Sequence, residues 1–174
     1  QWWDSVKFTM EKGPNLWETF NKSLEKNRKE RPKLENWMEI GPFDRSGDRT
    51  FETPYPPEKE IRLDASYPGK DGKNVTWIKW PAGEKSPISE NITEAVFFFY
   101  NTITVPKPVQ KYLIISHDDG AEVRLNGKQV LLSKGYVPQD NPETVPLDLK
   151  AGKNEIFVKL EQGGGPWALV AVIS

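Results

Sequence analysis

Asn126-Gly127, set between Val123-Arg124-Leu125 and Lys128-Gln129-Val130, does most to narrow the folds open to this chain. A two-residue type I′ turn needs positive φ at both central positions, and Asn followed by Gly is the pair that adopts it most readily. With apolar residues alternating on either side, the pair predicts a β-hairpin joining Ala121–Leu125 to Gln129–Leu132. Further strand patterns fall at Asn36–Ile40, Val75–Trp80, Ala95–Val105, Tyr112–Ser116, Thr144–Leu149, Glu155–Leu160 and Trp167–Ile173. Short strands separated by turn signals at this density indicate an antiparallel β-sandwich or jelly roll.

Fifteen Pro and 13 Gly, spread along 174 residues, suit many short strands and argue against long helices. Apolar residues make up only 36% of the chain, yet it holds 7 Trp, 8 Phe and 5 Tyr, so its core is expected to be built from large rings. Val96-Phe97-Phe98-Phe99-Tyr100 predicts a strand buried on both faces. No cysteine is present, which excludes disulfides, thiolate catalysis and thiolate-bound metals. A formal charge of −1 argues against a partner of duplex nucleic acid, and no apolar run approaches the ~20 residues that span a bilayer. Gln1-Trp2-Trp3, with no initiating Met, reads as a processed or excised start and predicts a piece of a larger protein.

One segment has a helical period. Leu16, Trp17, Phe20 and Leu24 predict a helix over Asn15–Asn27, with Asn15 and Glu18 in capping-box positions. The charge run from Lys26 to Lys33 reads as a solvated helix end or linker. Two domains follow: a helical extension over 1–35 that packs on the sandwich, and a jelly-roll module over 36–174. Within the module, Gly41-Pro42 is expected to stop the first strand, Phe43–Asp64 to form loops, and Lys150–Asn154 to close a second hairpin.

Several of these motifs resemble one family. Ser116-His117-Asp118-Asp119-Gly120 followed by Val123-Arg124-Leu125-Asn126-Gly127-Lys128 is similar to a hairpin of galactose-binding-like jelly rolls and of the protective-antigen-type sugar-binding domain. Leu149-Lys150-Ala151-Gly152-Lys153-Asn154 with Ile156–Lys159, and Gly164-Gly165-Pro166-Trp167, resemble later strands of the same folds. Trp37–Phe43 resembles the entry of modules appended to large bacterial exported enzymes. The likeness covers Trp37 to Ile173. It implies a jelly-roll β-sandwich and, in its sugar-binding branch, a pair matching Asp118-Asp119 that holds calcium and contacts sugar hydroxyls.

From the residues themselves, Asp118 and Asp119 admit two roles. They could give oxygen ligands to Ca²⁺, or build the turn, one accepting backbone N–H bonds before Gly120 takes a positive φ. His117, the sole histidine, has the side chain of a general base or metal ligand but no second His or Cys to complete a zinc shell. Trp37, Trp77 and Trp167 lie on strand patterns and read as core. Trp80, Tyr67, Tyr55 and Tyr136 lie at a strand end or in Pro/Gly-rich loops, where a ring either stacks on a pyranose or plugs the end of the sandwich. Gly83–Ser86 and Gly163–Gly165 lack the spacing of a phosphate loop. The triplets at Asn21, Asn74 and Asn91 match the glycosylation acceptor, which matters only in a eukaryotic source.

The expected function is a non-catalytic, carbohydrate-binding accessory module of an exported protein, secreted, periplasmic or at a cell surface. Its ligand-binding residues would be Tyr67, Trp80, Tyr136, Tyr55 and His117, with structural calcium at Asp118 and Asp119. Two rivals remain: a structural module docking neighbouring domains of a larger enzyme, and a small glycan-active enzyme, which needs paired carboxylates across a cleft.

Overall fold

The computed structural model describes residues 37–80, 92–165 and 168–173. The chain divides into two compact units, Gln1–Arg31 and Pro32–Ser174, and the described residues all belong to the second. The helix expected over Asn15–Asn27, the loop Gly83–Ser86 and the ring of Trp167 lie outside them.

The second unit is an all-β antiparallel sandwich. Its strands are β1 (Trp37–Asp44), β2 (Ser66–Pro68), β3 (Asn74–Thr76), β4 (Ile78–Trp80), β5 (Ala95–Val105), β6 (Val109–Asp118), β7 (Ala121–Leu125), β8 (Lys128–Ser133), β9 (Glu143–Leu149), β10 (Gly152–Gln162) and β11 (Ala168–Ile173). One sheet has six strands in the order β4-β1-β5-β10-β7-β8, and the facing sheet has three in the order β11-β6-β9. A two-stranded ribbon pairs β2 with β3, and a short α-helix, α1, spans Pro56–Lys59. From β5 onward, only β7 and β8 are joined within one sheet; every other connection crosses the sandwich.

The strand β5 lies at the centre of the larger sheet, between β1 and β10, and this explains its continuous apolar run. Phe97 and Phe99 point between the sheets, where they meet Trp37, Trp80, Leu113, Ile115, Leu147, Val158 and Leu160. Val96, Phe98 and Tyr100 point outward into a second cluster with Ile40, Phe43, Tyr55, Trp77 and Phe157. Each fully buried Phe contributes roughly 1.5–3 kcal/mol relative to exposure, so both faces of β5 stabilise the fold. The core is therefore ring-built, as the composition predicts, and Trp37 and Trp77 are buried in it at 1% and 6% exposure.

What covers the outer cluster is the segment that reads as loop. Glu58 of α1 reaches down to Lys159 of β10 and Arg124 of β7, at 2.9 Å each, and so fastens α1 across the sheet. Glu58 also accepts the N–H of Tyr55, while Lys159 donates to the carbonyl of Thr53. The Tyr55 ring then packs on Phe43 and Phe98 and lies 4.7 Å from the Lys159 ammonium. Burial holds the Lys159 ammonium below the usual lysine range, opposed by the charge of Glu58.

Several boundaries differ from expectation. Strand β1 does not end at Gly41-Pro42; it runs on to Asp44, with a register shift between Ile40 and Phe43. A bulge is where a strand tolerates a residue without N–H, and Gly41 is required there because a Cβ would sit 2.7 Å from the Phe97 ring. The stretch Val75–Trp80 is two strands, β3 pairing with β2 and β4 with β1. The three-residue β2, β3 and β4 are too short to show a period, so β2 escapes the sequence patterns and β3 and β4 read as one strand. The loop Lys150–Asn154 is not a hairpin, since β9 and β10 belong to opposite sheets. Asn154 holds that crossover, its side chain bonding to both N–H and C=O of Lys150. The hairpin at Asn126-Gly127 forms as predicted, with φ of +50° and +80°.

Candidate functional site

The loop after β6 also crosses the sandwich. Ser116 to Asp119 therefore belong to the smaller sheet and its edge, and the hairpin proper begins only at Ala121. Backbone bonds from Asp119 N–H to Glu161 C=O and from Glu161 N–H to Gly120 C=O fasten this crossover to the end of β10. Gly120 does not take a positive φ. It sits in a tight place, since a Cβ would lie 3.0 Å from a Glu161 carboxylate oxygen and 3.1 Å from the Phe51 ring.

Alternation along β6 sends Leu113, Ile115 and His117 inward and Tyr112, Ile114, Ser116 and Asp118 outward. The imidazole of His117 is completely enclosed. Its Nδ1 lies 2.7 Å from the backbone oxygen of Asp119, and a carbonyl only accepts, so Nδ1 carries the proton. Nε2 then faces the Glu143 carboxylate at 3.5 Å, and Glu143 in turn accepts from Ser133. The ring is thus enclosed and committed to holding the crossover loop, where the sequence reading expects it exposed to a ligand.

After β8 the chain returns to β6 by a single antiparallel bridge, Val137 with His117, before β9 takes over at Glu143. Residues 138–142 have no strand partner and fold outward, closed by Asn141 N–H on Pro138 C=O and tied down by the Ser116 hydroxyl on the same carbonyl. This loop makes one wall of a cleft of about 440 Å³, within the range of small-molecule sites. Its floor is Ser116 and Asp118 of β6 with Ala168 of β11, and its wall is Tyr136, Val137, Gln139 and Asp140. Tyr136 is 64% exposed.

The acidic pair divides its work. Asp119 turns one oxygen to the backbone N–H of Gly163 at 2.8 Å. The Arg45 guanidinium also approaches Gly163 and pairs with Glu161 and Glu94 at 3.3 and 3.2 Å, so a fixed cation already serves that side. Asp118 lines the cleft, and partial burial, with the charge of Asp119 beside it, raises its carboxyl above the usual range. Oxygen donors of this type suit calcium, which takes 6–8 of them. Among the described residues, however, no group of three acids or histidines is placed to hold a metal ion. Asp118 and the second oxygen of Asp119 would therefore form a minority of any calcium shell.

Of the seven residues expected from sequence, the cleft gathers Tyr136, Asp118 and His117, and Asp119 is not among its lining residues. Trp80 and Tyr55 are core residues, at 5% and 7% exposure, and offer no free face for stacking. Trp80 packs between Phe99 and Trp37, and Tyr55 caps the outer cluster. Tyr67 lies on the ribbon β2–β3, half-buried against that same cluster and away from the cleft. Sequence reasoning missed Ser116, Gln139 and Asp140. The polar run Gln139-Asp140-Asn141 directly after Tyr136-Val137-Pro138 was the available signal.

No protein-family model and no curated protein matches the chain. Among solved structures it is similar to a GH31 alpha-xylosidase from Xanthomonas citri, at 13% identity over 59% of this chain and 12% of that one, with a TM-score of 0.44. It is also similar to a beta-glucosidase from Kluyveromyces marxianus in complex with glucose, at 14% identity, 79% and 15% coverage and a TM-score of 0.42. A third likeness is to a PA14 sugar-binding domain from an RTX adhesin, at 20% identity over 47% of each chain, with a TM-score of 0.29. The chain spans less than half the length of each of the three.

Proposed function

We propose that this chain is a non-catalytic carbohydrate-binding module, accessory to a larger exported protein, and that its site is the cleft between the end of β6 and the loop 138–142. The observation that supports this is the exposed ring of Tyr136 beside Asp118, Gln139 and Asp140 in one cleft. A phenol ring offers a flat apolar face to a pyranose, while carboxylates and a side-chain amide accept from and donate to its hydroxyls. Calcium belongs to this proposal as an ion shared with the ligand. Asp118 and the free oxygen of Asp119 would hold it, and sugar hydroxyls or water would complete its shell.

The test is calorimetric titration of a panel of mono- and oligosaccharides, repeated with Tyr136→Ala. Binding to at least one glycan, lost in Tyr136→Ala with the melting temperature unchanged, is the expected result. Silence across the panel, with tight association to the rest of the parent polypeptide, would instead assign a docking role.

One observation favours a second reading. Asp118 and Asp140 line the same cleft, and a carboxyl raised by burial is what a glycosidase uses as its acid. Release of reducing sugar from a polysaccharide, abolished in both Asp118→Asn and Asp140→Asn, would establish that reading and displace the first.

A further inference from the structure

The cleft's floor residues Ser116, Asp118 and Ala168 belong to the outer face of the three-stranded sheet, and that face continues along the same strands away from the loop. Strand register fixes what it carries: Val170 opposite Ser116, Val172 and Thr144 on either side of Ile114, and Pro146 opposite Tyr112. Tyr112 and Val170 are exposed at 44% and 39%, high values for large apolar side chains on a sheet whose other face is core. At the far end the Tyr112 hydroxyl donates to Gln110, whose amide donates to Asp148, so the ring is held in place by a polar fringe.

We infer that this face is a second subsite continuous with the cleft, and that the ligand is an extended, uncharged oligosaccharide laid along β6 from Asp118 to Tyr112. The inference rests on the carbohydrate reading of the cleft and adds the ligand's length and charge. From Asp118 to Tyr112 the strand advances about 20 Å, which is several pyranose rings laid end to end. The two exposed tyrosines, Tyr136 and Tyr112, stand towards opposite ends of that path. Between them the surface is apolar and hydroxyl-bearing, suited to the mixed faces of a sugar chain. Among the described residues of β6, β9 and β11, strand alternation places no Lys, Arg or His on this face, and the charged residues it places there are Asp118 and Asp148. Two acids and no described base on that face repel a uronic acid or a sulfated glycan, and so favour a neutral chain.

The experiment titrates the whole chain with neutral β-1,4-linked gluco-, xylo- and manno-oligosaccharides from disaccharide to hexasaccharide, with an oligogalacturonide hexamer as the charged control. For the series that binds, affinity is expected to rise about tenfold or more from disaccharide to hexasaccharide, with the charged control weaker. Tyr112→Ala should remove that gain and leave disaccharide binding unchanged, Tyr112→Trp should keep it, and Tyr136→Ala should abolish binding at every length. Equal affinity for short and long chains, or a Tyr112→Ala variant that binds the hexasaccharide like the parent, overturns the subsite and leaves the cleft standing. Absence of binding at every length overturns both. Sedimentation velocity guards the remaining case: a dimer that Tyr112→Ala dissociates would assign the face to a second copy of the chain and overturn the inference.

Discussion

The carboxylate of Asp119 accepts the backbone N–H of Gly163 at 2.8 Å and so ties the β6–β7 crossover to the end of β10, 44 residues away in sequence. A Cβ at Gly163 would come within 3.2 Å of that oxygen, so the approach is close. Truncating the acid strands a partly buried donor, which costs about 1–3 kcal/mol. Asp119→Ala is expected to lower the urea midpoint accordingly with m unchanged. A midpoint equal to the parent's would mean that the pair contributes nothing to the fold.

Asp118, its neighbour, should act in the opposite sense. Its carboxyl is raised by burial first and by the charge of Asp119 second. The native state therefore holds the proton more tightly than the unfolded chain does. Its contribution to stability is fully present below the ordinary carboxyl value and is lost as pH rises through the raised one. Asp118→Asn removes this term. In calcium-free buffer the variant should melt higher than the parent at neutral pH, and the gap should close on acidification below pH ~4. A variant that melts lower at neutral pH would show that the ionised Asp118 stabilises the fold.

Calcium can be tested on the same two proteins. An ion held by the native state alone stabilises it by mass action, about 2.7 kcal/mol at a hundredfold excess over Kd. With a glycan ligand present, added Ca²⁺ should raise the parent's melting temperature, EDTA should reverse the rise, and Asp118→Asn should show neither. No change in the parent under either treatment removes calcium from the proposed site.

Much of the fold is legible in the sequence, and most of the site is not. Asn126-Gly127 specifies a turn through its own φ preferences, a local property, and β7–β8 follow from it. Burial of β5 on both faces is likewise written in its unbroken apolar run. Sheet membership is not local. Thr144–Leu149 and Glu155–Leu160 show apolar patterns that read as a hairpin, and only tertiary pairing sends them to opposite sheets. The site depends on that crossing. Tyr136 meets Asp118 because Val137 bridges His117 and throws the next residues outward, a relation invisible to hydropathy. Trp80 and Tyr55 mislead for the converse reason: each follows or precedes a Pro, as loop aromatics do, yet each is folded inward by segments that carry no strand period.

Glu58 of α1 meets Lys159, 1% exposed, and Arg124, which is also paired with Glu122 at 2.7 Å. Two acids thus balance two bases under the loop that covers the outer ring cluster. Removing one partner of a buried pair leaves the other uncompensated, at a cost of about 3–5 kcal/mol. Glu58→Gln, which removes the acid bonded to Lys159, should destabilise on this scale, and Lys159→Met by less, because Glu58 keeps Arg124. Residues in one network do not add, so the double variant should cost less than the sum by at least ~1 kcal/mol. Additive losses would mean that the two side chains act independently and that α1 is held by the packing of Tyr55 and Pro57 alone. Because the network lies on the larger sheet and the cleft on the smaller, Lys159→Met is expected to weaken the fold while glycan affinity of the folded fraction stays within about twofold of the parent.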